Sequence, residues 1–294
     1  MRTTLIVGCG YLGSRVGSLL AAQGERVFGT VRSLEKAERL QAQGIEPRIA
    51  DVLDPATLEN LPPADRILYC VGFDRKGAAP MRTVYVQGVE NFLDQYQGPA
   101  SQLVYISSTG VYGRNDGGWV VEDEQSEPEP RHESGHVCLA AERAAANLSA
   151  RLGLKPLILR CSGLYGPNRV PRASSLKRGE PIVGDPSKFL NLIHIDDVVR
   201  GVLAAFDRGT AGRLYHLSDS RPATRQEFYE LAAHWLKAPE PRFEPPTDDD
   251  PARLREESNK RISNQRMRQE LGVELAYPDI QQGLPSAIAQ STSI

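Results

Sequence analysis

The amino-acid sequence predicts an α/β fold: a doubly wound parallel sheet with a smaller C-terminal lobe. Three observations predict it. A glycine-rich turn sits directly between an apolar run and a helix, short apolar strands alternate with helices along the chain, and 294 residues suffice for one large domain or two modest ones.

The first element carries the most information. Thr3 to Val7 is a short apolar run suited to a buried parallel strand, and Gly8-Cys9-Gly10-Tyr11-Leu12-Gly13 follows it without a spacer. The first glycine permits a tight turn, the second lets a pyrophosphate approach the backbone, and the third lets the next helix pack on the strand. That helix, about 12–23, aims free N–H groups and a positive dipole end at the phosphates. Gly24 ends it and Arg26 to Val31 reads as a second strand. Three glycines alone can be a plain turn, but flanked by these elements they predict a dinucleotide site.

The end of the second strand selects the dinucleotide. An NAD site usually places an Asp or Glu there to bind the ribose hydroxyls. Here Gly29-Thr30-Val31-Arg32-Ser33 offers no acid. Arg32 supplies a cation, and Ser33 a hydroxyl, where the extra phosphate of NADP would lie, so NADP(H) is expected ahead of NAD(H). The competing account of Arg32 is an ordinary solvated side chain.

The remaining elements follow in order. Ile45 to Ala50 is a third strand with Asp51 at its end, placed to reach an adenine amino group, and Arg66 to Val71 is a fourth, followed by Gly72. A helix of about 81–96 leads to the strand Leu103 to Ile106, the loop Ser107 to Gly113, and an acidic, proline-bearing stretch through Pro130. An alanine-rich helix of about 134–152 comes next, then the strands Leu157 to Arg160 and Leu214 to Leu217. Pro239 to Pro251, with five prolines and the run Asp248 to Asp250, reads as a surface loop.

Composition narrows the class of partner. A net charge of −2 shows no basic excess, which argues against nucleic acid. Cys9, Cys70, Cys138 and Cys161 lie far apart with no Cys-x-x-Cys spacing, as expected of free thiols in a reducing cytosol rather than a metal site or a disulfide framework. The N-terminal apolar run is too short for a signal peptide and no later run reaches membrane-spanning length, so a cytoplasmic protein without a membrane partner is expected.

Several motifs, in order, carry a family likeness. They are Gly8 to Gly13, Asp51-Val52, Ser107 to Gly113, Leu159-Arg160-Cys161-Ser162-Gly163-Leu164-Tyr165-Gly166-Pro167, and Asn191 to Asp197. Through them nearly the whole chain resembles the extended short-chain dehydrogenase/reductase family, the NAD(P)-dependent epimerases, dehydratases and their relatives. Most members have Gly-x-x-Gly-x-x-Gly where this chain has Gly-x-Gly-x-x-Gly. The resemblance implies a Rossmann-type domain over 1–163 and about 191–220, with a substrate-binding lobe over 164–190 and 221–294. It implies cofactor contacts from Gly8, Gly10, Tyr11, Leu12 and Gly13, from Arg32 and Ser33, from Asp51 and Val52, and from Val71, Gly72 and Cys161. His194 and Asp197 look structural in the family, tying the lobe to the sheet.

The departures fall on the chemistry. Anchored on Leu139 to Glu142, the family's Tyr-x-x-x-Lys pair falls on Ser134 and Cys138, and that pattern occurs nowhere else in the chain. A Tyr and a Lys four apart share a helix face, where the ammonium holds the ribose and lowers the phenol pKa. Ser134 and Cys138 do neither. Tyr85 stands where the family keeps an Asn. Ser108 survives at the position that binds the reacting oxygen.

Other proton donors are Tyr112, Tyr165 and His132, each with a plainer alternative as a packing or capping residue. His136 falls on a different helix face, and Cys138 is either a reactive thiol or a small residue filling the space of a Lys. Between Pro167 and Glu180 the chain carries Arg169, Arg172, Lys177 and Arg178 without an acid, either a solvated basic loop or a seat for a phosphorylated or nucleotide-linked substrate. A homodimer through the helices at 81–96 and 134–152 is expected, unless Ala140, Ala141 and Ala144 to Ala146 face their own sheet. Two functional classes stand open: an NADP(H)-dependent oxidoreductase, epimerase or dehydratase of atypical active site, and a catalytically silent NADP(H)-binding sensor or scaffold.

Overall fold

The computed structural model describes residues 1–74, 76–123, 128–247 and 258–291. The aspartate run Asp248 to Asp250 and the far end of its proline-rich stretch lie outside the described residues.

The chain divides into two compact units. The first comprises Met1–Ser108, His136–Arg160 and Gly201–Tyr215; the second comprises Thr109–Gly135, Cys161–Arg200 and His216–Ile294. Residues 109–135 and 191–200, counted with the dinucleotide-binding part from sequence, pack with the second unit.

The first unit is built as β1 (Thr3–Val7), α1 (Gly13–Ala22), β2 (Arg26–Val31), α2 (Leu34–Gln41), β3 (Glu46–Ile49), β4 (Arg66–Tyr69), α3 (Gly88–Gln95) and β5 (Gln102–Ser108). After the short β6 (Trp119–Val120) of the second unit come α4 (Glu133–Ser149) and β7 (Leu157–Cys161). The second unit continues with β8 (Gly163–Tyr165), α5 (Ala173–Lys177), β9 (Ile182–Val183), β10 (Phe189–Leu190) and β11 (Leu192–His194), and α6 (Ile195–Arg208) leads to β12 (Leu214–Leu217). Then follow β13 (Ala223–Thr224), α7 (Arg225–Leu236), β14 (Phe243–Glu244), β15 (Arg261–Ile262), α8 (Gln265–Glu270) and α9 (Ile280–Ala289).

Seven strands form one parallel sheet in the order β12-β7-β5-β4-β1-β2-β3. Its central strands are continuous apolar runs because both faces are covered. Leu5, Ile6, Val7, Ile67, Leu68, Leu103 and Val104 are fully buried. On one face Leu5, Val7, Ile67, Tyr69 and Tyr105 pack with Val89, Phe92 and Tyr96 and with Ala141 and Ala145 of α4. Ala141 and Ala145 thus serve packing within the chain, with Ala144 partly buried against the same core, while Ala140 is half-buried and Ala146 exposed.

Two strands run longer than the sequence suggests. β5 reaches Ser108 and β7 reaches Cys161, which turns the start of the predicted loop into sheet. The helix expected over 81–96 is not uniform, since Thr83–Gln87 is a π-helical turn ahead of α3.

The described residues of the second unit form four two-stranded ladders: β10 with β13, β11 with β8, β14 with β9, and β15 with β6. Its core gathers Tyr165, Leu176, Ile182, Phe228, Ala232, Ile280 and Leu284. A capping box starts α7, with Glu227 N–H donating to Thr224 Oγ1 at 3.1 Å and Thr224 N–H donating to the Glu227 carboxylate at 2.7 Å. Asp197, buried at the start of α6, accepts from the N–H groups of Ala276 and Tyr277 at 2.7 and 2.9 Å and so holds the approach to α9. No helix among the described residues is long and apolar enough to cross a membrane.

One buried ion pair joins three elements of the first unit. Arg160 of β7 donates to both oxygens of Glu142 on α4 at 2.9 and 2.6 Å, and Ser107 of β5 donates to Glu142 Oε1 at 2.5 Å. Both ionic side chains are buried. Arg160→Met leaves the carboxylate without its cation and should cost about 3–5 kcal/mol in urea unfolding, with the double variant Glu142→Leu/Arg160→Met recovering much of that loss. A single variant as stable as the unmodified protein would show that the pair does not anchor α4.

Candidate functional site

The glycine turn is held by two constraints at Gly8. Its φ of 87° lies in the left-handed region, and a Cβ there would sit 2.7 Å from the Val71 backbone. Gly8 N–H donates to Thr30 Oγ1 and Cys9 N–H to the Thr30 carbonyl, both at 2.9 Å, so the turn is pinned to β2. Gly10 is the opposite case. A Cβ built on it meets nothing within 4 Å, so what the glycine provides is open access to its backbone. At Gly13 a Cβ would lie 2.9 Å from Ile6 Cγ2, which sets how closely α1 packs on β1.

No side chain caps α1, whose N-terminus opens beside Gly10. An uncapped helix N-terminus with an open glycine cradle fits a pyrophosphate, because the first-turn N–H groups lack partners within the helix. The residues present therefore fit a nicotinamide dinucleotide. Arg15, one turn in, donates to the Tyr11 carbonyl at 2.8 Å and stacks over the Tyr11 ring at 4.1 Å, while Leu12 is buried.

At the end of β2, Arg32 is exposed and 3.7 Å from an exposed Asp74 carboxylate. A long ion pair in water contributes little and leaves the guanidinium able to take a phosphate. Ser33 caps α2 by accepting from Lys36 N–H at 3.5 Å, which leaves its hydroxyl proton to donate. Asp51 accepts from Leu53 N–H through Oδ1 at 2.9 Å. Val52 is buried against Gly88, where a Cβ would come within 2.8 Å. Val71 is half-buried and the Gly72 backbone is open beyond β4. Cys161 is buried, which pushes its thiol up to about 12 and leaves it inert.

The positions of the missing pair are equally plain. Ser134 is exposed on the first turn of α4. Cys138 is half-buried, and burial, with a smaller effect from Glu142, raises its thiol to about 11. It is a filler of space, not a nucleophile at neutral pH. Tyr85 lies in the π-helical turn, its phenol oxygen accepting from Phe73 N–H at 3.2 Å. Ser108 ends β5, half-buried, directly after the Ser107 that binds Glu142.

The two loop phenols are interior groups of the second unit. Tyr112 Oη and His216 Nε2 are 2.7 Å apart; His216 Nδ1 lies 3.2 Å from the Ser263 carbonyl, and His216 N–H donates to Glu122 at 2.9 Å. An Nδ1–H donated to that carbonyl leaves Nε2 as acceptor, so the phenol donates. Burial first of all, with nearby Asp219 next, raises Tyr165 far above the usual phenol range, and Gly283 of α9 lies so close that a Cβ would collide with the hydroxyl. Both are packing groups in this geometry. His132 is half-buried ahead of α4, and His136 is exposed.

In the basic segment, Arg169 exchanges backbone hydrogen bonds with Gly166 at 2.9 and 3.2 Å, and its side chain is exposed. Arg172 adopts φ 55° at the start of α5, and Arg178 pairs with Glu180 at 2.6 Å. Sequence reasoning missed His216 and Glu122. The signal was a histidine inside the apolar strand Leu214–Leu217 and an acid just after Trp119–Val120, neither of which reveals its partner.

A family model described as the NAD dependent epimerase/dehydratase family matches residues 4–218. Protein YeeZ of Escherichia coli (strain K12) is 28% identical over 287 residues, covering 95% of this chain and 97% of that protein. A 4-hydroxy-2-methyl-3-oxo-4-farnesyl-3,4-dihydroquinoline-1-oxide ketoreductase of Stigmatella aurantiaca is 28% identical over 244 residues, covering 79% of this chain and 72% of that one. Among solved structures, the dTDP-glucose 4,6-dehydratase DesIV of Streptomyces venezuelae superposes with a TM-score of 0.83 at 21% identity, over 98% of this chain and 96% of that one, a likeness of fold.

The two glycines should separate folding from binding. Gly8→Ala meets backbone at 2.7 Å with a left-handed φ and should lose a few kcal/mol of stability, roughly 2 or more. Gly10→Ala should leave the ligand-free melting temperature nearly unchanged while weakening dinucleotide binding, measured by calorimetry, about tenfold or more. Unchanged binding in Gly10→Ala would remove the cradle from the site.

Proposed function

The chain belongs to the NAD dependent epimerase/dehydratase family, and on that premise we propose an NADP(H)-dependent enzyme of atypical active site acting on a small anionic substrate. The observation that carries the cofactor choice is the end of β2, where no acid stands and Arg32 and Ser33 offer a cation and a hydroxyl. A 2′-phosphate displaces the weak Asp74 contact and takes a charge-assisted bond in its place.

When bound, the nicotinamide supplies hydride transfer. The residues of this chain do the rest. The Gly10 backbone and the start of α1 hold the pyrophosphate, Asp51 accepts from the adenine amino group, and Ser108 orients the reacting oxygen by a hydrogen bond. No phenol–ammonium pair lowers the barrier to proton transfer, since Ser134 is exposed and the Cys138 thiol stays protonated. Arg169 and Arg172 are the cations assigned to the substrate's negative group, Arg178 being engaged by Glu180.

A second reading, a silent NADP(H)-binding sensor, is favoured by one specific observation: both Tyr112 and Tyr165 are interior groups, so neither takes over the lost proton donor. The substrate side distinguishes the two, since an enzyme has a substrate whose turnover depends on Ser108.

Arg32→Ala should remove most of the preference for NADP(H) over NAD(H), about 1.5–3 kcal/mol by calorimetry, and leave NAD(H) affinity nearly as it was. Equal affinity of the unmodified protein for both cofactors would overturn the assignment. In a stopped assay with NADPH and simple carbonyl compounds, turnover should be about a hundred- to ten-thousand-fold below that of an enzyme with a positioned acid. On a native substrate, Ser108→Ala should lower kcat sharply; tight NADPH binding with no turnover on any of a broad substrate panel would favour the sensor.

A further inference from the structure

The second unit holds a buried cation for which no carboxylate of the described residues is in reach. Lys260 is 8% exposed, and its ammonium makes one hydrogen bond, to the neutral Ser258 hydroxyl at 2.7 Å. An ammonium has three donors, so two lack a partner among the described residues. No carboxylate of those residues lies within ion-pair reach of it. The buried arginines of the first unit are treated differently, Arg66 paired with Glu25 at 2.7 Å and Arg160 with Glu142 at 2.6 Å.

The surroundings of Lys260 are rigid. Its carbonyl accepts from Asn191 Nδ2 at 2.9 Å, and the Asn191 oxygen accepts from Ile262 N–H at 2.8 Å. Asn259 Oδ1 accepts from Phe189 N–H at 3.1 Å, and Arg261 N–H donates to the Gly118 carbonyl at 2.9 Å. The lysine thus stands at the start of a clamped strand, β15, not on a loose loop. Arg261, the next residue along β15, spreads its guanidinium over the rings of Trp119 and Phe189 at 5.0 and 5.2 Å, adding a second positive charge to the strand.

Burial alone lowers the Lys260 amine from 10.5 to about 8. A base depressed in the folded state costs stability wherever it must carry its proton, below about pH 8, and the cost fades as pH rises from there toward the unfolded value of 10.5. At neutral pH the chain carries this buried charge uncompensated by any carboxylate of the described residues. An incoming negative group relieves that cost, and its oxygens satisfy the two remaining donors.

We propose that Lys260 is the recognition group for an oxyanion, a phosphoryl or carboxylate group of the molecule received by the second unit. The inference deepens the reading of an anionic substrate and rests on it, but is tested by binding rather than turnover. Thermal unfolding of the full chain at pH 7 is followed with increasing inorganic phosphate, acetate or chloride at matched ionic strength, for the unmodified protein, Lys260→Met and the exposed control Lys155→Met. Arg32→Ala serves as background to remove binding at the cofactor site.

In the unmodified protein and in Lys155→Met, phosphate or acetate gives a saturable rise in Tm beyond that in chloride. In Lys260→Met the rise is lost or its midpoint moves about tenfold or more to higher anion concentration, while the anion-free Tm is equal or higher. Saturation by phosphate and not acetate assigns a phosphoryl group, and the reverse assigns a carboxylate. An unchanged anion response in Lys260→Met, or no saturable response to either anion in the unmodified protein, overturns the proposal. Should Lys260→Met fail to fold, nuclear magnetic resonance of the methylated lysines of the unmodified protein decides the matter. The Lys260 titration moves upward on addition of the effective anion, and a titration that stays in place refutes the site. NADP(H) affinity measured on the same samples reports separately on the cofactor reading, which stands or falls without Lys260.

Discussion

A carboxylate shared between a guanidinium and a hydroxyl in the interior of the first unit governs how α4 and the ends of β5 and β7 are arranged. Glu142 on α4 is held by Arg160 of β7 and Ser107 of β5. Removing water from both charges is expensive, so the pair persists only with this full set of short hydrogen bonds. The bonds fix the rotation of α4 over the sheet, and with it the aspect of Cys138 one turn earlier on the same face. They also fix the end of β5, where Ser108 follows the bonded Ser107.

The dinucleotide turn illustrates how sterics and access divide the labour of glycines. At Gly8 the backbone conformation and the neighbouring Val71 backbone both forbid a side chain, so that residue belongs to folding. At Gly10 nothing nearby forbids one, so the empty space belongs to binding. The end of β2 is of another kind. Arg32 is exposed and loosely partnered by Asp74 at 3.7 Å, so recruiting its guanidinium to another anion carries a low desolvation cost.

The second unit solves a different problem. With two-stranded ladders and short helices it has little continuous sheet to organise it, and buried polar groups do much of the specifying. Tyr112 is locked to His216, His216 to Ser263 and Glu122, and Asp197 to the backbone of Ala276 and Tyr277. Each bond fixes one segment against another, at a desolvation cost that a satisfied partner repays. Against this pattern Lys260 stands apart, its ammonium bonded to the neutral Ser258 hydroxyl with no carboxylate of the described residues beside it.

What the sequence determined by itself is everything that depends on local order. The strand, glycine turn and helix at the N-terminus, the missing acid after β2, and the absence of a Tyr-x-x-x-Lys spacing from the sequence are all matters of short-range order, and periodicity exposes them directly. Only the tertiary structure decided matters of partnership. It turned Ala141 and Ala145 of α4 inward onto the sheet, extended β5 to Ser108, and enclosed Tyr112 and Tyr165, two phenols that the loop sequence left open as proton donors. It also brought Glu122 and His216 together across 94 residues and, among the described residues, left Lys260 without a counter-ion. Burial and hydrogen bonding between distant segments set the protonation and reach of a side chain, and no pattern along the chain encodes which distant group it will meet.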